Sequence, residues 1–255
     1  MATLLGSLLI KLGIDKAELT RGLDSAEKQV RATTKRIEKA GQAIADVGAK
    51  MSIGITAPLV AFGASAFKAA SDAAELRSAF DQTFGAMSKS MAQWAESTGN
   101  AMGRSTQEMQ QAANTFGIFF NTAASPQKAA EMSKTFAKLA QDLGSFYNVA
   151  GEDAIGKLRS GLSGETEPLR DFGVFLTEAS VKAEGLKMGL SGVGDELSEQ
   201  EKILVRYNLI LAATKNAQGD VERTSGGTAN QIRSAQAAFQ ELQVVIGEKL
   251  LPVLT

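Results

Sequence analysis

The chain has 255 residues, 44% of them hydrophobic and 22% charged, which suits one large folded domain or two small ones and excludes a disordered tail. Its 27 Lys and Arg against 28 Asp and Glu give a net charge of -1, which offers no general attraction to nucleic acid or to an anionic membrane. The absence of His and Cys excludes Ser-His-Asp and Cys-His catalysis, conventional zinc sites, disulfides and thiolate redox centres.

The composition favours an all-α protein. The chain has only 4 Pro, and Pro is the residue that most strongly breaks helices, at a cost of about 3 kcal/mol in a helix interior. Its 25 Gly predict that the helices are interrupted often. We therefore predict long amphipathic helices that fold back into a bundle.

Residues 1–50 predict a short strand followed by a heptad-patterned helix. The first residues are apolar but lack the basic segment and cleavage site of a secretory signal, so we expect a strand near 3–12 instead. From Leu19 onward, apolar residues recur in steps of four and three over four heptads. Equivalent positions in these heptads hold Leu23, Val30, Ile37 and Ile44. The pattern predicts a helix–helix seam, either between copies of the chain or within one chain.

Residues 51–224 predict a helical core region that begins with an apolar segment. Residues 51–67 carry no charge, but they fall short of the roughly 20 residues that a membrane span usually needs. We expect this segment to be buried, with Pro58 starting or kinking a helix, and membrane insertion is the alternative. One apolar stripe then runs from Phe62 to Trp94, and small residues at 98–103 predict its end.

Three serines mark predicted helix starts. Ser105 and Ser198 each precede a Glu by three positions, which is the spacing of a capping box. Ser125 precedes Pro126, a residue favoured in the first helical position. Between these starts, the four glycines of residues 185–194 predict a flexible loop.

Residues 225–255 predict a hinge and then the start of a long helix. Its apolar residues follow heptad spacing at Ile232, Ala235, Phe239, Leu242, Ile246 and Leu250. Because the stripe runs up to the last residues, we expect the complete protein to continue toward a rod-like region.

Candidate catalytic motifs are weak. Residues 151–157 have the glycine and lysine spacing of a phosphate-binding loop, but Leu158 stands where Ser or Thr must hold magnesium. Glu165, Glu167 and Asp171 offer the paired carboxylates that a glycosidase needs. Pro168 follows this cluster's second Glu directly, which favours the start of a helix, where acids complement the helix dipole. We predict no catalytic, cofactor-binding or metal-binding residue, and we do not expect an enzyme.

Three blocks occur in an order typical of one family. They are KMSIGITAPLVAFGASAFKAASDAAEL at 50–76, DAIGKLRSGLSGETEPLRDFGVFLTEASV at 153–181 and SGGTANQIRSAQAAFQELQVVIGEKLLPVL at 225–254. The first resembles the Gly-Ile-Thr-x-Pro segment of phage tail tape measure proteins. The second is similar to their Gly-Glu-x-Glu-Pro-Leu-Arg block, and the third to a downstream block that ends in Leu-Pro. Family members are usually far longer, so the chain resembles an N-terminal region.

The resemblance implies a structural virion protein that lies in the lumen of a phage tail tube. Such a protein sets tail length during assembly and leaves the tube when DNA is ejected. The partners implied are further copies of the same chain (three or six), the tail tube protein, tail tip or baseplate proteins and tail assembly chaperones. Synthesis in the bacterial host cytoplasm and a transient encounter with the host membrane are also implied, without a cofactor or sequence-specific nucleic acid. The glycine interruptions favour the anchoring or assembly end of such a protein over its ruler.

We predict that the residues of the second block stabilise the fold and take no part in catalysis. Pro168 fixes φ and starts a helix, while Leu169 and Phe172 pack inward. Arg170 is predicted to form local ion pairs with its acidic neighbours. Turns that other residues would strain are predicted at Gly161, Gly164 and Gly173.

Two other functional classes remain open. One is a membrane-active helical protein that uses residues 51–67 to enter the host envelope. The other is a peptidoglycan hydrolase, since some long tape measure proteins carry such domains.

Overall fold

The computed structural model describes residues 59–190 and 196–254, with side chains for 65–190 and 196–249. Of the described residues 82% are helical and none is in a strand, which confirms the all-α prediction for that part of the chain. The predicted strand near 3–12, the seam residues Leu23, Val30, Ile37 and Ile44, and Pro58 lie outside the described residues. The helices are α1 Leu59–Phe84, α2 Ser88–Met102, α3 Thr106–Ala123, α4 Pro126–Phe146, α5 Gly151–Ser163, α6 Glu178–Lys187, α7 Glu199–Ala213, α8 Asp220–Arg223 and α9 Thr228–Leu254. Two 3-10 helices cover Gly85–Met87 and Glu167–Phe172.

The chain divides into two compact units, and residues 78–230 form the larger one. Its core lies between α3 and α4, where Phe116 and Phe120 meet Phe136 edge-on at ring-centroid distances of 5.3 and 5.4 Å. Tyr207 of α7 stacks on the ring of Phe136 at a centroid distance of 4.8 Å, which adds α7 to this aromatic cluster. Helices α2 and α5 pack against α3 and α4 respectively. The apolar stripes of α3 and α4 thus form one continuous core.

The second unit contains residues 59–77 of α1 and 231–254 of α9 among those described. Small residues bring these two helices together, since a Cβ added to Gly247 would lie 1.9 Å from the backbone oxygen of Ala66. Gln243 donates to the hydroxyl of Ser65 at 3.1 Å at the same interface. The buried residues of α9 include Ala237 and Val244, which do not belong to its heptad-spaced stripe.

Two members of the predicted α9 stripe have large exposed fractions, 41% for Ile232 and 47% for Phe239. The heptad spacing predicted no packing partner for this stripe, and the contact with α1 uses other residues of α9. Close approach needs small side chains, and Gly247 provides this on a different face.

Helix starts follow the predicted serines with one difference. Ser105 and Ser198 each form a complete capping box, accepting a hydrogen bond from the backbone of the Glu three positions later. Ser125 occupies the cap position before Pro126, but its side chain makes no cap hydrogen bond. Thr177 forms a further capping box with Ser180, which was not predicted from the sequence.

The long stripe from Phe62 to Trp94 is divided between two helices, contrary to the prediction. The 3-10 turn Gly85–Met87 separates α1 from α2, and Gly85 has a φ of 50° there. The predicted break at 98–103 begins too early, because α2 continues through Gly99 to Met102 and ends at Gly103 in the left-handed region.

The glycine-rich segment 185–194 also starts inside a helix. Gly185 belongs to α6, and a Cβ at this position would lie 2.7 Å from the side chain of Leu197. Gly189, with a φ of 71°, closes the helix. Residues 191–195 lie outside the described part of the chain.

Candidate functional site

The Gly-Glu-x-Glu-Pro-Leu-Arg block forms a corner between α5 and the segment that leads to α6. At the end of α5, the N–H groups of Glu165 and Gly164 donate to the carbonyls of Ser160 and Gly161, at 2.9 and 3.3 Å. This pair of hydrogen bonds is a Schellman motif, and Gly164 adopts the left-handed conformation it requires, with a φ of 104°.

A second motif of the same type follows after nine residues. The 3-10 helix ends where the N–H groups of Gly173 and Val174 donate to Arg170 and Leu169, at 2.9 and 3.2 Å. Gly173 has a φ of 68°. Two of the three predicted turn glycines, Gly164 and Gly173, therefore lie where a residue with a side chain would be strained.

The predicted inward residues of this block are buried. Leu169 has no exposed surface and Phe172 is 2% exposed, while Pro168 is half-buried at the start of the 3-10 helix. Gly161 has a different role from the one predicted. It lies within α5, and a Cβ there would come 2.3 Å from Cδ1 of Leu169. Gly161 is required for space, not for an unusual φ.

The acidic side chains of the block face solvent and pair with nearby cations. Arg170 contacts Glu167 at 3.1 Å, as predicted, with 58% and 80% of the two side chains exposed. Asp171 pairs instead with Lys157 of α5. The ammonium of Lys157 also lies 5.3 Å from the ring centroid of Phe172. The first pair lies within the 3-10 helix and the second joins the corner to α5, and ion pairs of this exposed kind contribute little free energy each.

Arg206 of α7 holds the corner from the other side. It is 7% exposed, and its Nη1 donates to the carbonyl of Leu162 at 3.0 Å. A cation at the carboxyl end of a helix complements the helix dipole. Gly164 leaves room for the guanidinium, since a Cβ there would lie 2.9 Å from Nη2.

A cavity of about 560 Å³ opens elsewhere in the same unit. Its walls come from the carboxyl end of α2, from α4, from the end of α7 and from the turn before α8. The lining mixes polar and apolar side chains: Ser97, Thr98, Ala101, Met102, Thr135, Lys138, Leu139, Asp142, Leu211, Gln218, Gly219 and Glu222. Its size is in the range of pockets that hold small molecules or peptide side chains.

Asp142 is the buried charge of this cavity. It is 4% exposed, and its two oxygens accept hydrogen bonds from the backbone N–H groups of Gly219 and Val221, at 2.8 and 3.1 Å. Burial raises the pKa of its carboxyl, while these two hydrogen bonds and the charge of Lys138 oppose the rise. Within the described residues, no Lys or Arg forms an ion pair with Asp142 inside 4.0 Å.

A buried polar network is centred on Arg104. Arg104 is 4% exposed, and its Nε donates to Oε1 of Gln141 at 3.0 Å while its Nη2 donates to Oδ1 of Asn230 at 2.9 Å. Its Nη1 donates to the carbonyls of Met102 and Gly103 at 3.1 Å and so caps α2. The network therefore ties the end of α2 to α4 and to the start of α9.

The roles of Arg104, Asp142 and Arg206 were not predicted from the sequence. A usable signal was present for Asp142, because it follows Leu139 by three positions and so shares the apolar face of α4. A charged residue on such a face needs partners, here the two N–H groups before and within α8. Gly103 before Arg104 gave a similar hint, since a basic residue after a helix end often binds carbonyls.

No helix among the described residues is long and apolar enough to cross a membrane. Groups of three or more carboxylates arranged to hold a metal ion do not occur in that same part of the chain. No protein-family model matches this chain, and no curated protein or solved structure is significantly similar to it.

Proposed function

We propose that this chain is the anchoring or assembly region of a phage tail tape measure protein. In this role it lies in the tail tube lumen, takes part in setting tail length and leaves the tube when DNA is ejected. Its partners are further copies of the chain, the tube and tip proteins and the tail assembly chaperones. The proposal rests on the three sequence blocks that resemble this family in their order along the chain.

The geometry of the second block is the observation that best supports a structural role over a catalytic one. Its apolar residues Leu169 and Phe172 are buried, and its glycines close two consecutive turns. Its carboxylates point to solvent, where Glu167 and Asp171 pair with neighbouring cations. A glycosidase instead needs two carboxylates in contrasting surroundings, one of them kept protonated, on either side of a substrate. Buried apolar residues together with exposed, ion-paired carboxylates are typical of a structural element.

Substitutions in this block test the proposal in a phage that encodes the chain. Glu165→Gln and Glu167→Gln remove charge and keep shape, so tails of normal number and length are expected. Leu169→Asp and Phe172→Asp bury an unpaired charge, which costs several kcal/mol, so tails should be absent. Electron microscopy of lysates gives both readouts.

A clearing assay on purified peptidoglycan separates the structural role from hydrolysis. The unsubstituted chain should leave the cell wall intact. The carboxylates would instead be catalytic if the two Gln variants form normal tails that fail to infect and the unsubstituted chain clears peptidoglycan. Binding of the chain to liposomes would instead support the membrane-active alternative.

A further inference from the structure

We propose that the cavity beside Asp142 binds a Lys or Arg side chain of a partner polypeptide. The inference rests on the cavity alone and holds whether or not the chain is a tape measure protein. The lining offers three features to such an occupant: a buried negative charge, apolar side chains and further acceptor groups.

The negative charge of Asp142 favours a cationic occupant. Its oxygens already accept two backbone N–H groups, so its hydrogen bonding is partly met, but no described cation contacts it. Burial disfavours the ionised carboxyl, and an ammonium or guanidinium group beside it would offset that cost. Glu222 adds a second, exposed carboxylate to the lining, against one cation, Lys138.

The apolar wall suits the aliphatic part of a basic side chain. Met102 of α2, Leu139 of α4 and Leu211 of α7 line the cavity together with its polar groups. Lys and Arg place a chain of methylene groups along apolar surface while their charged end reaches a polar site. An anion would meet two carboxylates, and a purely apolar side chain would leave Asp142 without a counter-charge.

Further acceptor groups of the lining could accept the remaining N–H groups of a basic side chain. Gln218 belongs to the lining, and its Nε2 donates to the carbonyl of Leu211 at 2.8 Å, so its side-chain oxygen is the acceptor that this residue has to offer. The hydroxyls of Thr98 and Thr135 belong to the same lining. An ammonium has three N–H groups and a guanidinium five, so several acceptors around one carboxylate match either group.

The test uses the full chain and two small peptides that differ only in charge. N-acetyl-lysine amide carries the ammonium, and N-acetyl-norleucine amide has the same aliphatic stem without it. Backbone NMR follows the N–H groups of Gly219 and Val221, which donate to Asp142. We expect saturable shifts with the lysine peptide and affinity weaker by about fivefold or more with the norleucine peptide, which corresponds to one partly buried ion pair.

Variants separate binding from folding. Glu222→Gln should weaken the lysine peptide about twofold to fivefold, and Lys138→Gln should strengthen it by removing a competing cation. Both residues are exposed, so neither variant threatens the fold. Glu152→Gln, on α5 and outside the cavity lining, is the matched control and should change nothing. Equal shifts with the two peptides, shifts that do not saturate, or affinities unaffected by both cavity variants would each overturn the proposal.

Discussion

Glycines of α5 show how one residue type serves different purposes within a single helix. Gly156 has open space where a Cβ would be placed, whereas a Cβ at Gly161 would meet Leu169 at 2.3 Å. Sequence alone marks both as helix-weakening residues. The difference between them arises from a tertiary contact, because Leu169 packs against Gly161 and no described residue packs at the Cβ position of Gly156.

The two glycines give a matched pair of substitutions. Gly156→Ala should stabilise the protein by about 0.5 to 1 kcal/mol, because Ala loses less conformational entropy on entering a helix. Gly161→Ala should destabilise it by about 1 to 3 kcal/mol, since Leu169 must move to admit the methyl group. Urea unfolding of the two variants measures both changes. Equal effects of the two substitutions would contradict the contact between Gly161 and Leu169.

Asp142 makes stability depend on pH in a defined direction. Because its pKa is raised in the folded state, the folded protein holds this proton more tightly than the unfolded chain does. The contribution of Asp142 to the free energy of unfolding should therefore fall as pH rises from about 4 through the raised pKa. It should be most favourable below the unfolded-state pKa.

Asp142→Asn tests this direction. The variant should be less stable by about 1 to 3 kcal/mol, because the Asn side chain has one oxygen for the two N–H groups of Gly219 and Val221. The free energy of unfolding of the unsubstituted protein should exceed that of the variant by less and less as the pH is raised from about 4 to 7. Urea unfolding across this range measures it, and a difference that widens with pH would show that the carboxyl is stabilised in its charged form.

At the scale of helices, the caps and the apolar faces of α3 and α4 were predicted well, whereas the division of the stripe from Phe62 to Trp94 and the packing of α9 were not. The capping boxes at Ser105 and Ser198 follow from local sequence, since the partner Glu is three positions away. Thr177 was missed because its partner is Ser180 instead of Glu or Gln. The division at Gly85 and the buried face of α9 were not predictable from periodicity, because they depend on which helix each face meets.

The caps lead to a prediction about two serines. Ser105→Ala should cost about 1 to 2 kcal/mol, since the hydroxyl accepts from the N–H of Glu108 and the residue is fully buried. Ser125→Ala should cost less than about 0.5 kcal/mol, because its side chain makes no cap hydrogen bond. Thermal or urea unfolding compares the two. A larger loss for Ser125→Ala would indicate a cap that the structure lacks.

For the whole molecule, the sequence predicted the all-α class but not the way in which the described residues divide into two units. Residues 59–77 and 231–254 are distant in sequence, and their close approach depends on alanines facing Gly247. Single-sequence patterns carry no information on such pairings between distant segments. The corner at Leu169 and Phe172 was predicted because its turns and its apolar residues are local.

Gly247→Ala should loosen the pairing of α1 with α9. Its Cβ would lie 1.9 Å from the oxygen of Ala66, a distance that forces the helices apart. We expect amide hydrogen exchange to become about tenfold faster or more in residues 65–77 and 231–249, which corresponds to a loss of about 1.4 kcal/mol. Gly226→Ala, where a Cβ meets nothing within 4 Å, is the control. Unchanged exchange in the Gly247 variant would mean that the helices do not approach so closely.

The most direct measurement of the proposed function is quantitative mass spectrometry of purified phage particles before and after DNA ejection. The tryptic peptide of residues 139–157 reports on α4 and on the start of α5. If the chain lies in the tail lumen, this peptide should be present at several copies per DNA-filled particle and strongly depleted after ejection, while tube proteins stay constant. Its absence from filled particles, or its full retention in emptied ones, would contradict the tape measure proposal.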